Sequence, residues 1–372
     1  MRLLKNITLF LCLSFWAIAC NNSNQRVNNE DVNDNSYIEI TDAAGRKVNI
    51  SKSSKFIVIH SKTEIFRILD AESKVEGVTR WTVELNTEVN PVLSKLPSIG
   101  GFSKGNVNYE MIYKIVNDSP EDDVILVYNQ SWADDIESKI GQSDKIKIIK
   151  LNLFGSNEPQ KEIAILAKAL GKEAECKRYI NWFDSLLLMV QTRVRDIPDE
   201  EKIKVYWDAP SEGYYNTSGG GSSADIIISR AGGKFISKKL PQSGISVSPE
   251  WILQENPDII LAHPSSTRLL TGVKFDYGSA AVDTTKVLNA WNELIATPGI
   301  SGTDAVKEKK VYFIDDLMFG PSQPVGTVVL AKLFYPEKFA DINPREMLKY
   351  YYEYFMKLDY KGFYLYPNIF DL

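Results

Sequence analysis

Residues 159–197 read PQKEIAILAKALGKEAECKRYINWFDSLLLMVQTRVRDI, and apolar side chains return along them every three or four positions. That is the period an α-helix imposes when one of its faces is buried. Pro159 suits a first helical turn, where its missing N–H has no partner to lose, and Pro198 marks the stop. Gly171 interrupts the run, and because a mid-helix glycine costs about 1 kcal/mol it is expected to divide it into two helices. A continuous helix over 172–195 would extend roughly 35 Å at ~1.5 Å per residue. Such a length crosses from one lobe to another, so the stretch predicts a stiff connector between two bodies.

Both flanks have α/β grammar. Residues 37–51, YIEITDAAGRKVNIS, alternate on either side of Ala43, Ala44 and Gly45 and read as a β-hairpin. Strands are expected at 55–61, 75–81, 122–129 and 145–152, with a helical pattern over 64–70. Several are unbroken apolar runs of the kind a parallel sheet buries on both faces. The second flank repeats the layout, with strands at 202–208, 256–263 and 309–315 and a helix over 222–231 closed by Gly232 and Gly233. The fold class is therefore α/β, in two similar halves. The boundaries are 38–158 for the first lobe, 159–198 for the helical connector, 199–335 for the second lobe and 336–372 for a helical, aromatic extension. Why the tail DYKGFYLYPNIFDL is so rich in Tyr and Phe is not explained by the sequence; it is expected to cover part of a lobe.

The chain opens MRLLKNITLFLCLSFWAIAC, with Arg2 and Lys5 ahead of an apolar run too short for a comfortable membrane span. Residues 1–19 read as a signal peptide, and the small Ala19 ahead of Cys20 resembles the bacterial lipoprotein signal, in which that cysteine is acylated. An ordinary secreted protein cut near Ala19, or an uncleaved anchor, is the alternative. Residues 21–37 are dominated by Asn, Asp and Ser and form a hydrated tether. Acyl chains would hold it to the membrane, at about 0.8 kcal/mol per buried CH2. The remaining chain, about 335 residues in a sequence that is 44% hydrophobic, can bury two cores. A formal charge of −5, from 43 basic and 48 acidic residues, gives no reason to expect nucleic acid as a partner. Cys12 leaves with the signal and Cys20 carries lipid, so Cys176 stands alone and no disulfide or cysteine metal cluster is expected.

Ligands of open α/β sheets sit beyond the carboxyl ends of the strands. In the first lobe this rule selects His60, Ser61 and Lys62, then Arg80 and Trp81, then Tyr128, Asn129, Gln130 and Trp132. In the second it selects Trp207, Tyr214, Tyr215, Asn216, the GGGSS run at 219–223, His263, Ser265, Ser266, Arg268 and Phe319. Aromatic rings with Arg80 and Arg268 suit a medium-sized ligand that is partly planar and carries anionic oxygens. Arg80 beside Trp81 also reads as a surface pair, and Arg268 as the start of a surface loop. A strong bare-metal site gathers three or four ligands, and His60 and His263 are the two histidines of the chain; helped by a carboxylate or Tyr they could hold a transition ion or an axial position on a chelated metal, or simply line a cleft as polar strand ends. GGGSS lacks a following GK[ST] and is not a GxGxxG after a strand, so it points to a tight loop and not to a nucleotide.

Four segments carry a resemblance to a family: ITDAAGRKV at 40–48, FIVIHSKTEIFRILDAESKVEGVTRW at 56–81, SADIIISRAGGKF at 223–235 and SVSPEWILQENPDIILAH at 246–263. Over about 38–335 the chain resembles the periplasmic binding proteins of iron–siderophore, haem and cobalamin ABC importers. The resemblance implies two Rossmann-like lobes joined by a single long interlobe helix, with the ligand cleft between the lobes. It implies capture without catalysis or cofactor, and hand-over to transmembrane permease subunits driven by a separate ATPase subunit. Glu110 and Glu250 match the glutamates that dock into that permease, although each also reads as a carboxylate favouring a helix N-terminus. A ferric siderophore is the favoured ligand, with cobalamin or another corrinoid, or haem, as alternatives. A monomer is expected. A surface lipoprotein that scavenges ligand without an ABC partner is a rival role. An enzyme is a weaker one, since HExxH and CxxC are missing and two histidines are few for common hydrolase arrangements.

Overall fold

The first hairpin forms as its alternation requires. β1 (Tyr37–Thr41) pairs antiparallel with β2 (Lys47–Ser51), Ile40 opposite Val48. Its turn is organised by Asp42, whose carboxylate accepts from the backbone N–H of Ala44 and Arg46 at 3.0 and 2.9 Å and from the Arg46 guanidinium at 2.8 Å. The computed structural model describes residues 36–101, 106–121, 123–128, 133–140, 143–209, 215–241, 245–263, 284–314, 317 and 319–368. The signal peptide, Cys20 and all but the last residues of the tether lie outside this set.

The first lobe contains β3 (Lys55–Ile59), α1 (Glu64–Ile68), β4 (Val75–Val78), α2 (Tyr109–Asp118), β5 (Val124–Tyr128), α3 (Ala133–Ile140) and β6 (Ile146–Lys150). Its sheet is parallel throughout, in the order β4-β3-β5-β6. The apolar runs are unbroken because both faces are covered, successive side chains pointing to opposite sides. Phe56 and Val58 enter the core that continues under the interlobe helix, while Ile57 and Ile59 pack with Ile112 and Ile115 of α2 on the other face. The strand expected over 75–81 ends at Val78; Arg80 and Trp81 instead enter a wide helical turn, Trp81–Leu85.

α4 (Pro159–Leu170) and α5 (Glu173–Val194) form the connector. Gly171 divides them as expected, in the left-handed region at φ 67°, with the Lys172 N–H returning to the Ala167 carbonyl at 2.8 Å. The 22 residues of α5 extend about 33 Å at ~1.5 Å per residue. Tyr179, Phe183 and Val190 are fully buried along one face, and the Tyr179 hydroxyl donates to the Pro321 carbonyl at 2.6 Å. Cys176 is buried in the same face, and burial pushes its thiol up to about 11.

The second lobe contains β7 (Lys204–Asp208), β8 (Asn216–Thr217), α6 (Ser223–Arg230), β9 (Lys234–Phe235), β10 (Ile245–Ser246), α7 (Pro249–Glu255), β11 (Ile259–Ala262), α8 (Thr284–Ala296), α9 (Asp304–Lys307) and β12 (Val311–Ile314). The parallel order β9-β7-β11-β12 is that of the first lobe strand for strand, so the two halves are two copies of one topology. Beyond α10 (Gln323–Phe334), Pro336 and Pro344 each open a new helical segment, the latter α11 (Pro344–Tyr350). The aromatic tail ends in β13 (Leu365–Tyr366), antiparallel to β12 and covering that edge of the sheet.

Candidate functional site

A cavity of about 150 Å3 opens where the two lobes face each other. One wall follows β3 and β6: His60, Ser61 and Lys62 from the first, Asn152, Phe154 and Gly155 from the second. The opposite wall is Ser223, Phe319 and Gly320. Both walls are thus built from segments that follow strands of their lobe. A larger hollow, of about 390 Å3, runs beside Met111, Lys114 and Asp118 of α2 and receives nothing from the second lobe.

His60 is buried, and its Nδ1 accepts the Lys62 backbone N–H at 3.0 Å. Burial, reinforced by the nearby Lys62 charge and opposed by a backbone hydrogen bond at Asn152, pushes its pKa down to about 4. At neutral pH the ring is an uncharged clamp on its own loop. Lys62 reaches across the cleft. A Cβ at residue 320 would stand 3.1 Å from its Cδ and Cε, so the bare backbone of Gly320, at φ 98°, gives that side chain its channel.

The Asn152–Gly155 wall was not foreseen, although the same strand-end rule applied to the 145–152 run would have reached it. Leu153 sits at φ 47°, a left-handed conformation unusual for a branched residue. Glu162 of α4 holds it there: its buried carboxylate accepts the Leu153 N–H at 2.8 Å and the Asn152 N–H as well. One sign of this in the sequence is an acidic residue in the first turn of a helix that buries it.

The glycines of GGGSS have a structural cause. A Cβ at Gly219 would lie 1.9 Å from the Leu240 carbonyl oxygen, and one at Gly220 2.4 Å from that of Lys238. Beyond them Ser222 caps α6 by accepting the Asp225 N–H at 3.2 Å, and Asp225 accepts the Gly221 N–H at 2.9 Å. Ser223 follows that cap directly into the cavity wall.

The other candidates are spread more widely. Trp207, His263 and Phe319 form a ring cluster, with centroids 5.9–6.0 Å apart, that backs the cavity through Phe319. Arg80 is exposed, with its Nε 3.6 Å from Glu84, and neither it nor half-buried Trp81 lines the cavity. Tyr215, whose hydroxyl donates to the Pro298 carbonyl at 2.9 Å, and Asn216 also lie outside its lining. Tyr128 ends β5. Asn129, Gln130, Trp132, Tyr214, Ser265, Ser266 and Arg268 lie outside the described residues. Among the described residues no group of three or more His, Cys, Asp or Glu is arranged to hold a metal ion.

Glu110 and Glu250 occupy matching places. Both are exposed second residues of a crossover helix lying between the second and third strands of its lobe. Each helix is capped alike: Asn108 accepts from the Met111 N–H at 3.0 Å and Ser248 from the Trp251 N–H at 3.2 Å. The Glu250 carboxyl is held below the usual range by its own backbone N–H and by the Ser248 hydroxyl.

Residues 58–317 match the family described as periplasmic binding protein. A curated relative, the molybdate-binding protein MolA of Haemophilus influenzae, is 21% identical over 349 residues, spanning 87% of this chain and 92% of its own. Among solved structures, the TroA-like periplasmic binding protein FepB from Veillonella parvula superposes with a TM-score of 0.70 at 26% identity, covering 88% of this chain and 99% of its own. MolA bound to molybdate gives 0.69 at 20% identity over 87% of this chain and 99% of its own. The Ni–His complex of Helicobacter pylori CeuE gives 0.64 at 20% identity over 87% and 96%. The two matches at 20% identity speak to the fold alone, which is the bilobal α/β architecture described above.

Proposed function

The chain belongs to the periplasmic binding protein family, and from that premise we propose that it is the extracytoplasmic solute-binding component of an ABC import system, capturing a metal chelate, with a ferric siderophore favoured. The observation that carries the reading is the interlobe cavity, to which each lobe contributes strand-end or helix-start residues and across which Lys62 lies. A lysine ammonium with the hydroxyls of Ser61 and Ser223 and the amide of Asn152 suits anionic oxygens, and Phe319 offers an apolar face. Arg80, Trp81 and the second-lobe candidates would extend the contacts of a larger ligand. Lipid on Cys20 would keep the protein at the membrane surface.

A second reading is a small oxyanion such as molybdate. The cavity of about 150 Å3 is smaller than the roughly 300–1,000 Å3 usual for drug-sized ligands, and a curated relative is a molybdate-binding protein. Native mass spectrometry of the mature protein with ferric siderophores, cobalamin, haem and molybdate separates the two. A one-to-one shift with a ferric siderophore is expected, and Lys62→Ala should weaken it about tenfold, the value of one charge-assisted hydrogen bond. A shift with molybdate alone would overturn the chelate in favour of the oxyanion, and no shift with any of them would sink both.

Glu110 and Glu250 would present the loaded protein to two basic pockets of the permease, one for each lobe. Reversing both, as Glu110→Arg with Glu250→Arg, should reduce ligand-stimulated ATPase activity of the reconstituted transporter at least about tenfold. Ligand affinity should not change, because neither residue borders the cavity. Unaltered stimulation would leave the two as helix-end carboxylates only. If the wild type stimulates no permease, the scavenging role takes over.

A further inference from the structure

The C-terminal extension touches all three parts of the molecule. It leaves α10 on the second lobe and crosses α5, where Tyr351 stacks on Trp182 at 17° and 5.8 Å and Phe355 meets Tyr179 edge-on at 5.4 Å. Its helical segment then stops at Lys357, in the left-handed region at φ 52°. The last carbonyls of a helix lack intrahelical donors and favour a cation. Here the cation comes from the opposite lobe: Arg67 of α1 donates through Nε to the Met356 carbonyl and, at 3.5 Å, through a terminal nitrogen to that of Lys357. The guanidinium is largely buried and fixed by Glu72 at 3.0 and 3.2 Å. Four residues on, Lys361 pairs with Glu88 of the first lobe at 3.0 Å. The chain then turns back through Tyr364, stacked on Tyr360, and enters the second lobe's sheet as β13.

We propose that residues 351–366 are a strap that fastens the first lobe to the second and sets the width of the cleft. α5 is then not the sole restraint on lobe separation. To open the cleft beyond small breathing, Arg67 must leave two helix-end carbonyls that water would have to satisfy in its place. The aromatic content of the segment follows from the same role. Large rings let a short, otherwise irregular chain anchor on α5 and on itself with little loss of side-chain freedom. The assignment rests on no choice of ligand.

The test is the spread of interlobe distances in the full mature protein without ligand. Spin labels at Lys114→Cys and Lys307→Cys, exposed residues of α2 and α9, report it by pulsed electron resonance. Removing the fastening as Arg67→Ala, Glu72→Gln and Lys361→Ala leaves no buried carboxylate without its cation. The distance distribution should become about twofold broader, as expected when a restraint on rigid-body lobe motion is lost. An unchanged width in a variant with wild-type circular dichroism would overturn the strap. Hydrogen exchange on the wild type decides the matter without any variant. Amides of 352–358 should be protected to within about tenfold of those in α5, and exchange orders of magnitude faster would show the segment unfastened in solution.

Discussion

Gly326→Ala is expected to destabilise the protein by about 2–3 kcal/mol, although helix propensity alone predicts the opposite sign. Gly326 lies inside α10, where exchange for alanine ordinarily gains about 1 kcal/mol. Its neighbour decides otherwise: a Cβ there would stand 1.8 Å from the Leu317 carbonyl oxygen and 2.7 Å from its carbon. Both are backbone atoms, so no side-chain rotation relieves the clash and either α10 or the segment at Leu317 must shift. Neither can do so freely, since every residue from Gln323 to Ala331 is buried. At a urea m-value of ~3 kcal/mol/M the midpoint should fall by just under about 1 M, with the slope unchanged. Leu317 lies two residues before Phe319, so ligand affinity should fall too. A midpoint at or above that of the wild type would mean that the helix relaxes away from the carbonyl and that the steric argument is wrong.

The contrast between propensity and packing also marks what was legible in the chain. Hydrophobic runs such as FIVI and DIILA carry their own explanation, because a strand buried on both faces needs no polar alternation, and these strands lie where they were expected. Gly171 was readable for a similarly local reason, since only glycine takes a left-handed helix cap without cost. Where meaning depended on a distant partner, it was hidden. Nothing in YYYEYF announces that Tyr351 will stack on Trp182 or that the next carbonyls will receive Arg67. Nothing near Glu162 shows that its carboxylate will hold the loop at Leu153. The 75–81 run misled in a milder way: Thr79 and Trp81 are residue types that favour strands, but the Arg80 N–H bonds the Gly100 carbonyl at 2.7 Å and the chain turns there. At the site, His60, Lys62 and Phe319 reach the cavity wall because they follow strand ends or lie near them. Arg80 was selected by the same rule from a strand expected to run to Trp81, but that strand ends at Val78 and the Arg80 side chain lies exposed outside the wall.

Lowering the pH from 7 to 4 should cost the wild-type protein about 3 kcal/mol through His60 alone. Buried and accepting the Lys62 N–H, its ring has a folded-state pKa of about 4, against about 6.5 when unfolded. Above pH 6.5 both states hold a neutral ring and the residue contributes no pH dependence. Between about 6.5 and 4 the unfolded chain takes up a proton that the folded one refuses, so stability falls as the pH falls; below 4 both are protonated and the loss levels off. His60→Asn separates this from other titrations, since an asparagine oxygen can accept the same N–H without ionising. Subtracting the variant's unfolding free energy from the wild type's, by urea titration from pH 4 to 7, cancels the carboxylates common to both. Asp341, held at about 2 by Arg193, changes charge well below this window. The difference curve should rise by about 3 kcal/mol from pH 4 to 6.5 and then stay flat. A flat curve throughout would mean that the ring reaches solvent and that the His60 loop is open, in which case the wall containing Lys62 would not be preformed for an anionic ligand. A curve of the expected shape would show that the imidazole stays buried and neutral at physiological pH, with the wall that contains Lys62 held closed by its hydrogen bond.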